Sequence, residues 1–477
     1  MKISILNKNE LENEFTIGAE FYQPYYVQKV DKIKSKNNVY LLGNLCFLIT
    51  DGDHSATQYT DDGILYLLSE SVKEGYIDTN IKRYISSDLH NSLKRSKLKP
   101  RNILLTKTGV YFGKSAVIPD DFPEANTSAH VGKFVVKEEI INPYYLSTFF
   151  NCEYGYSQLR RRGIKASRPE IKLIEFFDIK VYVAAKYFQN IIEKTIKKSI
   201  AILDESKEKI DFSKNLLLSE LGITNWQPKH KLFFIKNYSD TEQSKRIDAE
   251  YFQPKYDEII NAIKAYKGGW DALGNLVDVK KSIEVGRGEY LDEGIPFVRV
   301  SNISLFELSE GKYISEQLYA ELTQDEQDIP FEKSKTHQPQ QGEILFSKDG
   351  SPGIAYYLKD KPQKMVVSGG ILRLQSKADT INNEYLTLVL NSVLTQEQVK
   401  RDVGGSIILH WRPEQVKETI IPILPQAQQL QIQQKITESF ELRKQSKQLL
   451  ENAKRAVEIA IEQDESKAIQ WLDAQLV

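Results

Sequence analysis

The side chains best equipped for chemistry in this chain are cations, and they come in runs. Lys94, Arg95, Lys97, Lys99 and Arg101 take five of the eight positions from 94 to 101, with no acidic residue among them. Arg160, Arg161, Arg162, Lys165 and Arg168 form a second run, interrupted by Gly163. Such runs suit phosphate contact, because each Lys or Arg that neutralises a phosphate releases a condensed counterion. The ordinary alternative is a solvated face. Further along, the cations thin out to Lys400, Arg401 and Arg412, with His410 and Trp411 nearby. Lys107 and Lys348 each stand just before a glycine, Gly109 and Gly350. Those glycines predict a tight turn or a close backbone approach, and a lysine on such a turn is placed for a phosphate or a base edge.

Other chemistries find less support. Asp51 with Asp53, and Asp61 with Asp62, sit among Gly, His and Ser. Asp-x-Asp occurs in metal-dependent nuclease sites, but the corresponding later stretch is Glu284-Val285-Gly286-Arg287, so polar loops are expected. The six histidines, His54, His90, His130, His230, His337 and His410, lack metal-ligand spacing, and no metal site is expected. No GxGxxG, Walker loop, HExxH or GxSxG is present. Asn142-Pro143-Tyr144-Tyr145 lacks the second proline and the upstream glycine-rich turn of an amino-methyltransferase motif. It reads instead as a helix cap followed by a first-turn proline.

The elements that position these groups occur twice. Ala19-Glu20-Phe21-Tyr22-Gln23-Pro24 returns as Ala249-Glu250-Tyr251-Phe252-Gln253-Pro254, 230 positions later. Leu42-Gly43-Asn44-Leu45 returns as Leu273-Gly274-Asn275-Leu276, and Ile103-Leu104-Leu105-Thr106-Lys107-Thr108-Gly109 as Ile344-Leu345-Phe346-Ser347-Lys348-Asp349-Gly350. Tyr145-Leu146, Arg168-Pro169-Glu170 and Ser206-Lys207 follow as Tyr385-Leu386, Arg412-Pro413-Glu414 and Ser446-Lys447. The preserved order marks duplication of a whole domain-plus-helix unit.

Each unit runs from β-rich to helical. The apolar runs at 103–105 and 344–346 suit buried strands, as do Pro296–Val300 and Ile371–Leu374. Ile3-Ser4-Ile5-Leu6 and Leu232-Phe233-Phe234-Ile235 read as opening strands. A helix is expected after Asn142-Pro143, with its counterpart from Asn383 to about Ser392. Two long helices follow. Lys186 to Leu221 contains neither proline nor glycine and carries Ile192, Ile196, Leu203, Ile210 and Leu217 at three-or-four spacing. Gln426 to Gln463 carries Ile432, Ile436, Leu450, Ala453, Val457 and Ile461. Such stripes predict helix pairing, and about 35 residues make ~50 Å of helix, longer than a small domain covers. The expected fold class is α+β: two tandem β-rich domains separated by two long helices that pair as an antiparallel coiled coil, a pseudo-two-fold dumbbell. The expected boundaries are 1–185 and 232–425 for the β-rich domains, 186–222 and 426–463 for the helices, 223–231 for a linker and 464–477 for a C-terminal tail.

Composition bounds the setting. Formal net charge is −1 over 477 residues, so phosphate binding must rest on local patches or on a partner that completes the clamp. Hydrophobic residues are 41% and no apolar run reaches the ~18 residues of a spanning helix. The start, Met1-Lys2-Ile3-Ser4, turns polar at once, which predicts no secretory signal. Two cysteines, Cys46 and Cys152, in unrelated contexts predict free thiols in a reduced cytoplasmic protein.

Taken in order and in duplicate, these features resemble the specificity (S) subunit of type I restriction-modification systems. The residues that carry the resemblance are Ile344 to Ser351 with Gly353, and Ile103 to Gly109 with Gly113. The Tyr251-Phe252-Gln253-Pro254-Lys255-Tyr256 opening is similar to that family, as is the Ile420-Ile421-Pro422-Ile423-Leu424-Pro425 lead into a Gln-rich helix. The resemblance spans essentially the whole chain. It implies that each β-rich domain is a target-recognition domain reading one half of a split site in double-stranded DNA. It implies that the helices are the spacer and dock two methyltransferase (M) subunits, with restriction (R) subunits joining, in a cytoplasmic phage-defence complex. It also implies that this chain is not itself catalytic and holds no cofactor. S-adenosylmethionine, ATP and Mg would belong to the partner subunits. DNA contact is then expected from Lys94, Arg95, Lys97, Lys99, Arg101, Lys107, Arg160, Arg161, Arg162, Lys165, Lys348, Arg401 and Arg412. One turn of DNA is ~34–36 Å, so the helix rod would set the spacing of two different half-sites. The first unit departs from the pattern: Ile179–Ala185 replaces the Pro422/Pro425 stretch, and Thr108 stands where the second unit has Asp349. Two rival readings remain at this level, an interaction scaffold that binds no DNA and a single-chain DNA-modifying enzyme with a degenerate motif.

Overall fold

The computed structural model describes residues 18–476 except 55–56, 82, 164–167, 310, 324–330, 332–335, 378–380 and 404–408. The expected strand at Ile3–Leu6 and the expected contact Lys165 lie outside the described residues. The chain divides into two units, residues 1–204 with 442–477 and residues 205–441.

The two units repeat strand for strand. In the first, β1 is Val39–Leu41, β2 Cys46–Asp51, β3 Ile64–Leu67, β4 Tyr84–Ile85, β5 Ile103–Thr106, β6 Ser115–Val117, β7 Ala125–Thr127, β8 Val131–Val136 and β9 Lys180–Tyr182. In the second, β10 is Trp270–Ala272, β11 Val277–Lys281, β12 Ile295–Val298, β13 Lys312–Ile314, β14 Ile344–Ser347, β15 Ala355–Tyr357, β16 Val366–Val367, β17 Ile371–Ser376 and β18 Ile420–Pro422. A four-stranded antiparallel sheet runs β2-β8-β5-β6 in one unit and β11-β17-β14-β15 in the other. A three-stranded sheet runs β4-β3-β7 and β13-β12-β16, with one parallel pair in each. Two-stranded ribbons β1-β9 and β10-β18 close the base of each unit.

The strands form where expected because their residues are buried on both faces. All four residues of β5 and all four of β14 are buried, which is why these runs are continuously apolar rather than alternating. Leu105, Phe134, Phe149 and Phe176 centre one core, and Phe346, Leu372, Leu386 and Trp411 the other. Each such side chain removed from water contributes about 1.5–3 kcal/mol.

The helix caps are as the residues suggest. Asn142 Oδ1 accepts from Tyr144 N at 2.9 Å at the start of helix Pro143–Asn151, and Asn382 caps helix Asn383–Asn391 in the same way. The long helices run Lys186–Glu220 and Gln426–Glu462. Each unit holds one half of each helix, packed antiparallel. Ile192 and Ile196 share a core with Ala453, Val457 and Ile461, and Ile210 and Leu217 share one with Ile432 and Ile436. Leu203 is buried, and Leu450 is partly buried against the first core. Between the helices lie serines. Ser199 and Ser446 each donate to the other's carbonyl at 2.9 Å, and Ser439 Oγ donates to Ser206 O at 2.9 Å.

Three expectations change. Leu232–Ile235 forms no strand; Leu232, Phe233 and Ile235 are 89–96% exposed, and no sheet edge receives them. The strand expected at Pro296–Val300 ends at Val298, where a 3-10 turn begins at Val300. The residues after 463, read as a tail, form helix Glu465–Leu476, with Ala468 and Leu472 buried in the first core. Glu465 accepts there from Tyr182 Oη at 2.6 Å and Ala185 N at 3.0 Å.

Candidate nucleic-acid interface

Lys107 and Lys348 occupy the same backbone frame. Lys107 N donates to His130 O and its own carbonyl accepts from Ile171 N, both at 3.0 Å. Lys348 N donates to Gly370 O and its carbonyl accepts from Trp411 N, both at 2.8 Å. The following glycines have positive φ, +88° at Gly109 and +68° at Gly350, a region that costs any residue with a Cβ. Thr108 bridges Glu170 in one unit, and Asp349 bridges His410 in the other, so Glu170 corresponds to His410 and not to Glu414 as the sequence repeat suggested.

In the first unit the lysine is not displayed to solvent. Its side chain is 9% exposed, and Nζ lies 3.3 Å from Asp51 Oδ2. His54 Nε2 meets the same oxygen at 3.0 Å, and Arg95 Nη2 lies 3.3 Å from Asp51 Oδ1 and donates to Gly52 O at 2.9 Å. The Arg95–Asp51 pair is held by charge rather than by hydrogen-bond geometry, since Oδ1 has no hydrogen-bond partner among the described residues. Asp51 is thus the anion of an ion cluster, with His54 and Arg95 more than half exposed on its rim. Close by, burial and the Arg168 and Lys107 charges push His130 below its usual value.

The basic loop before β5 is built on buried polar groups. Lys133 Nζ, on β8, donates to Arg95 O at 2.6 Å and Lys97 O at 2.9 Å. Burial, with Lys99 and Arg95 nearby, lowers its pKa. Asn126, on β7, donates to Leu93 O at 3.1 Å and Ser96 Oγ at 2.8 Å. The second unit has the corresponding device: Arg373, on β17, donates to Thr336 O at 2.7 Å and makes a doubly hydrogen-bonded pair with Glu343, both side chains 1% exposed. A buried cation on the sheet therefore fixes the loop before the next strand in both units.

Around Lys348 the same types of group come from other positions. Its Nζ pairs with Asp349 Oδ2, and His410 Nδ1 lies 2.8 Å from Asp349 Oδ1. Glu284 Oε1 accepts from Gly370 N at 3.2 Å, at the residue whose carbonyl holds Lys348 N. His410 is 61% and Asp349 24% exposed.

The structure sorts the cations named from the sequence. Lys94, Arg95 and Lys99 are exposed, and Lys97 is partly buried with Nζ on Asn91 Oδ1 at 2.9 Å. Arg160 is exposed beside Tyr156, and Arg412 is exposed beside Gln415. Arg101 is committed elsewhere, to Glu138 at 2.7 Å and Glu193 at 3.0 Å. Arg161 and Arg162 are corrected: they are 4% and 0% exposed, because helix Glu153–Gly163 turns them inward. Arg161 lies 4.3 Å from the Phe21 ring centre and Arg162 donates to Gln158 O at 3.1 Å, so neither can reach a phosphate. Lys107 is buried on Asp51, and Arg401 is tied to Asp402 at 2.8 Å.

Sequence reasoning passed over the residues that lock each frame. Gln158 brackets Lys180 and Gln398 brackets Ile420, each side-chain amide bonding both backbone N–H and C=O. Gln189 and Gln429 do likewise at the start of the long helices, accepting from Asn142 N and Asn382 N and donating to Ala184 O and Leu424 O. All recur at an offset of 240, so a residue-by-residue search of the repeat would have found them. Among the described residues no group of three or more His, Cys, Asp or Glu side chains is placed to hold a metal ion, and no helix is long and apolar enough to cross a membrane.

This is a duplicated α+β chain whose halves share sheet order, ribbon and helix pairing. Residues 292–452 match the family model of the type I restriction modification DNA specificity domain. The chain as a whole resembles the specificity subunit of those systems. It is similar to the S subunit of a type I restriction-modification system from M. genitalium, at 12% identity over 93% of this chain and 97% of that one, with a TM-score of 0.36. It is likewise similar to the HsdS subunit from Thermoanaerobacter tengcongensis, at 13% identity over 89% and 96%, with a TM-score of 0.27. A chain from a structure of type I R-M complex assembly and conformational transition is 12% identical over 89% and 97%, with a TM-score of 0.29. Among curated proteins none matches.

Proposed function

We propose that this chain is the non-catalytic DNA sequence-specificity subunit of a type I restriction-modification complex. The observation that carries the reading is the family match on the second unit, repeated strand for strand by the first. Each unit reads one half of a bipartite site, and since the residues around Lys107 and Lys348 differ, the half-sites differ. Exposed cations such as Lys94 and Lys99 set register on phosphates, while neighbouring side chains read base edges in the major groove. The net charge of −1 assigns the rest of the clamp to partner methyltransferase subunits. Those partners supply S-adenosylmethionine, and a restriction subunit supplies ATP- and Mg-dependent cleavage. The long helices set the spacing: an extra turn in both should lengthen the spacer and leave the half-sites unchanged.

The test is affinity capture of the tagged chain from its host lysate, with partners identified by mass spectrometry and the methylated motif mapped. A methyltransferase at about two per chain, with a split motif lost on deletion of this chain, supports the reading. Capture with no methyltransferase overturns it.

A further inference from the structure

The lysine-centred clusters repeat in composition but not in origin. Lys107 and Lys348 are equivalent by backbone frame. Each is neutralised by an aspartate that also holds an exposed imidazole. Yet the acid and the imidazole come from different places. In the first unit they are Asp51 and His54, at the end of β2. In the second they are Asp349 and His410, facing each other across a bridge whose first-unit counterpart is Thr108 and Glu170. Inheritance of the fold alone does not regenerate such a trio from unrelated positions.

The clusters differ in what they offer to a ligand. In the first unit the carboxylate is sealed at 3% exposure, and the accessible groups are Arg95 and His54, at 55% and 58%. That rim is a donor surface centred on a guanidinium. In the second unit the carboxylate itself is accessible, and Glu284 stands beside it, exposed. A carboxylate has about four lone-pair sites, and Lys348 and His410 use one on each oxygen. That rim is an acceptor surface.

We propose, resting on the function given above, that these clusters are the base-reading points of the two units and that their polarity sets which base each takes. Arg95, with His54 beside it, reads guanine, whose O6 and N7 are acceptors in the major groove. Asp349 reads an exocyclic amine, that of cytosine or adenine, and Glu284 and His410 bound its pocket. The lysine in each is a positioning residue: it pairs with the aspartate and fixes the orientation of the carboxylate. Lys133 does the same for Arg95 by holding the Arg95 and Lys97 carbonyls.

The experiment uses the complete complex with its methyltransferase, the wild-type motif mapped first, and then Arg95→Gln and Asp349→Asn. Binding to a panel of single-base variants of the motif is measured across a salt series, with melting curves confirming that each variant folds. Each substitution is expected to cut discrimination about 10- to 100-fold at one position of one half-site, a guanine for Arg95 and a base with an exocyclic amine for Asp349. The other half-site and the salt slope for Asp349→Asn should stay unchanged. Uniform weakening over all sequences with a slope lowered by about 1 would make Arg95 a phosphate contact and overturn its part. Full discrimination retained by Asp349→Asn, with the wild-type complex active, overturns the other part while the specificity-subunit reading stands. A wild-type complex that recognises no motif overturns both.

Discussion

Replacing Glu343 by glutamine should destabilise the second unit more than any surface change in it. Glu343 and Arg373 are each 1% exposed, and the guanidinium gives Glu343 two hydrogen bonds, at 2.7 and 2.6 Å. The amide keeps the shape and one acceptor but leaves a cation in the sheet interior without its counter-charge. Removing one partner of such a pair costs about 3–5 kcal/mol, whereas replacing both with apolar groups is often close to neutral. At about 2–4 °C per kcal/mol for a unit of this size, the transition should fall by roughly 6–20 °C. Thermal melting of the full chain followed by tryptophan fluorescence suits the purpose, since Trp226, Trp270 and Trp411 lie in the second unit and only Trp471 in the first. Arg373→Met with Glu343→Met should recover most of the loss, because Lys280 Nζ still donates to Thr336 O at 2.9 Å. A Glu343→Gln cost below about 1 kcal/mol, or a double variant no better than the single, would refute the electrostatic account.

Further outcomes follow from other sites. Burial raises the Glu193 pKa, but hydrogen bonds from Asn142, Lys197 and Arg101 outweigh it and bring the group down to about 2. Its stabilising contribution is therefore complete above the ordinary value of 4.5 and lost as pH falls from there toward 2. Stability-versus-pH curves of wild type and Glu193→Gln should converge over that window, and parallel curves would contradict the assignment. Burial pushes the Cys46 and Cys152 thiols up to about 12, so neither should be alkylated at pH 8 by intact-mass analysis until the chain unfolds. At the serine contact, Ser446→Ala should cost under about 1 kcal/mol, and Ser446→Leu about 1–3 kcal/mol through overpacking. Equal losses in urea melts would show that the hydrogen bond, not the close approach, matters there. Lys133→Met should keep the sheet but free the loop at 95–97, seen as faster amide exchange confined to that loop.

What the chain determines locally was legible from its order of residues. The duplication, the Asn142-Pro143 cap, the glycine turns after Lys107 and Lys348, and the apolar stripes of both long helices all depend on neighbours within one or two turns or on comparison of one half with the other. Burial of individual cations was not, because it depends on partners far away in sequence. Arg160 and Arg161 are adjacent in one basic run, yet the 100° step of the helix leaves one in solvent and sends the other onto Phe21. Asp51 looked like a loop acid and is the buried counter-ion of Lys107, 56 residues on (107 − 51). Leu232–Ile235 had the apolar pattern of a strand, but a strand also needs a partner, and among the described residues none pairs with that segment. Residue type and spacing decide which hydrogen bonds a segment can make with itself; only the packed chain decides which distant charge or sheet edge is there to meet it.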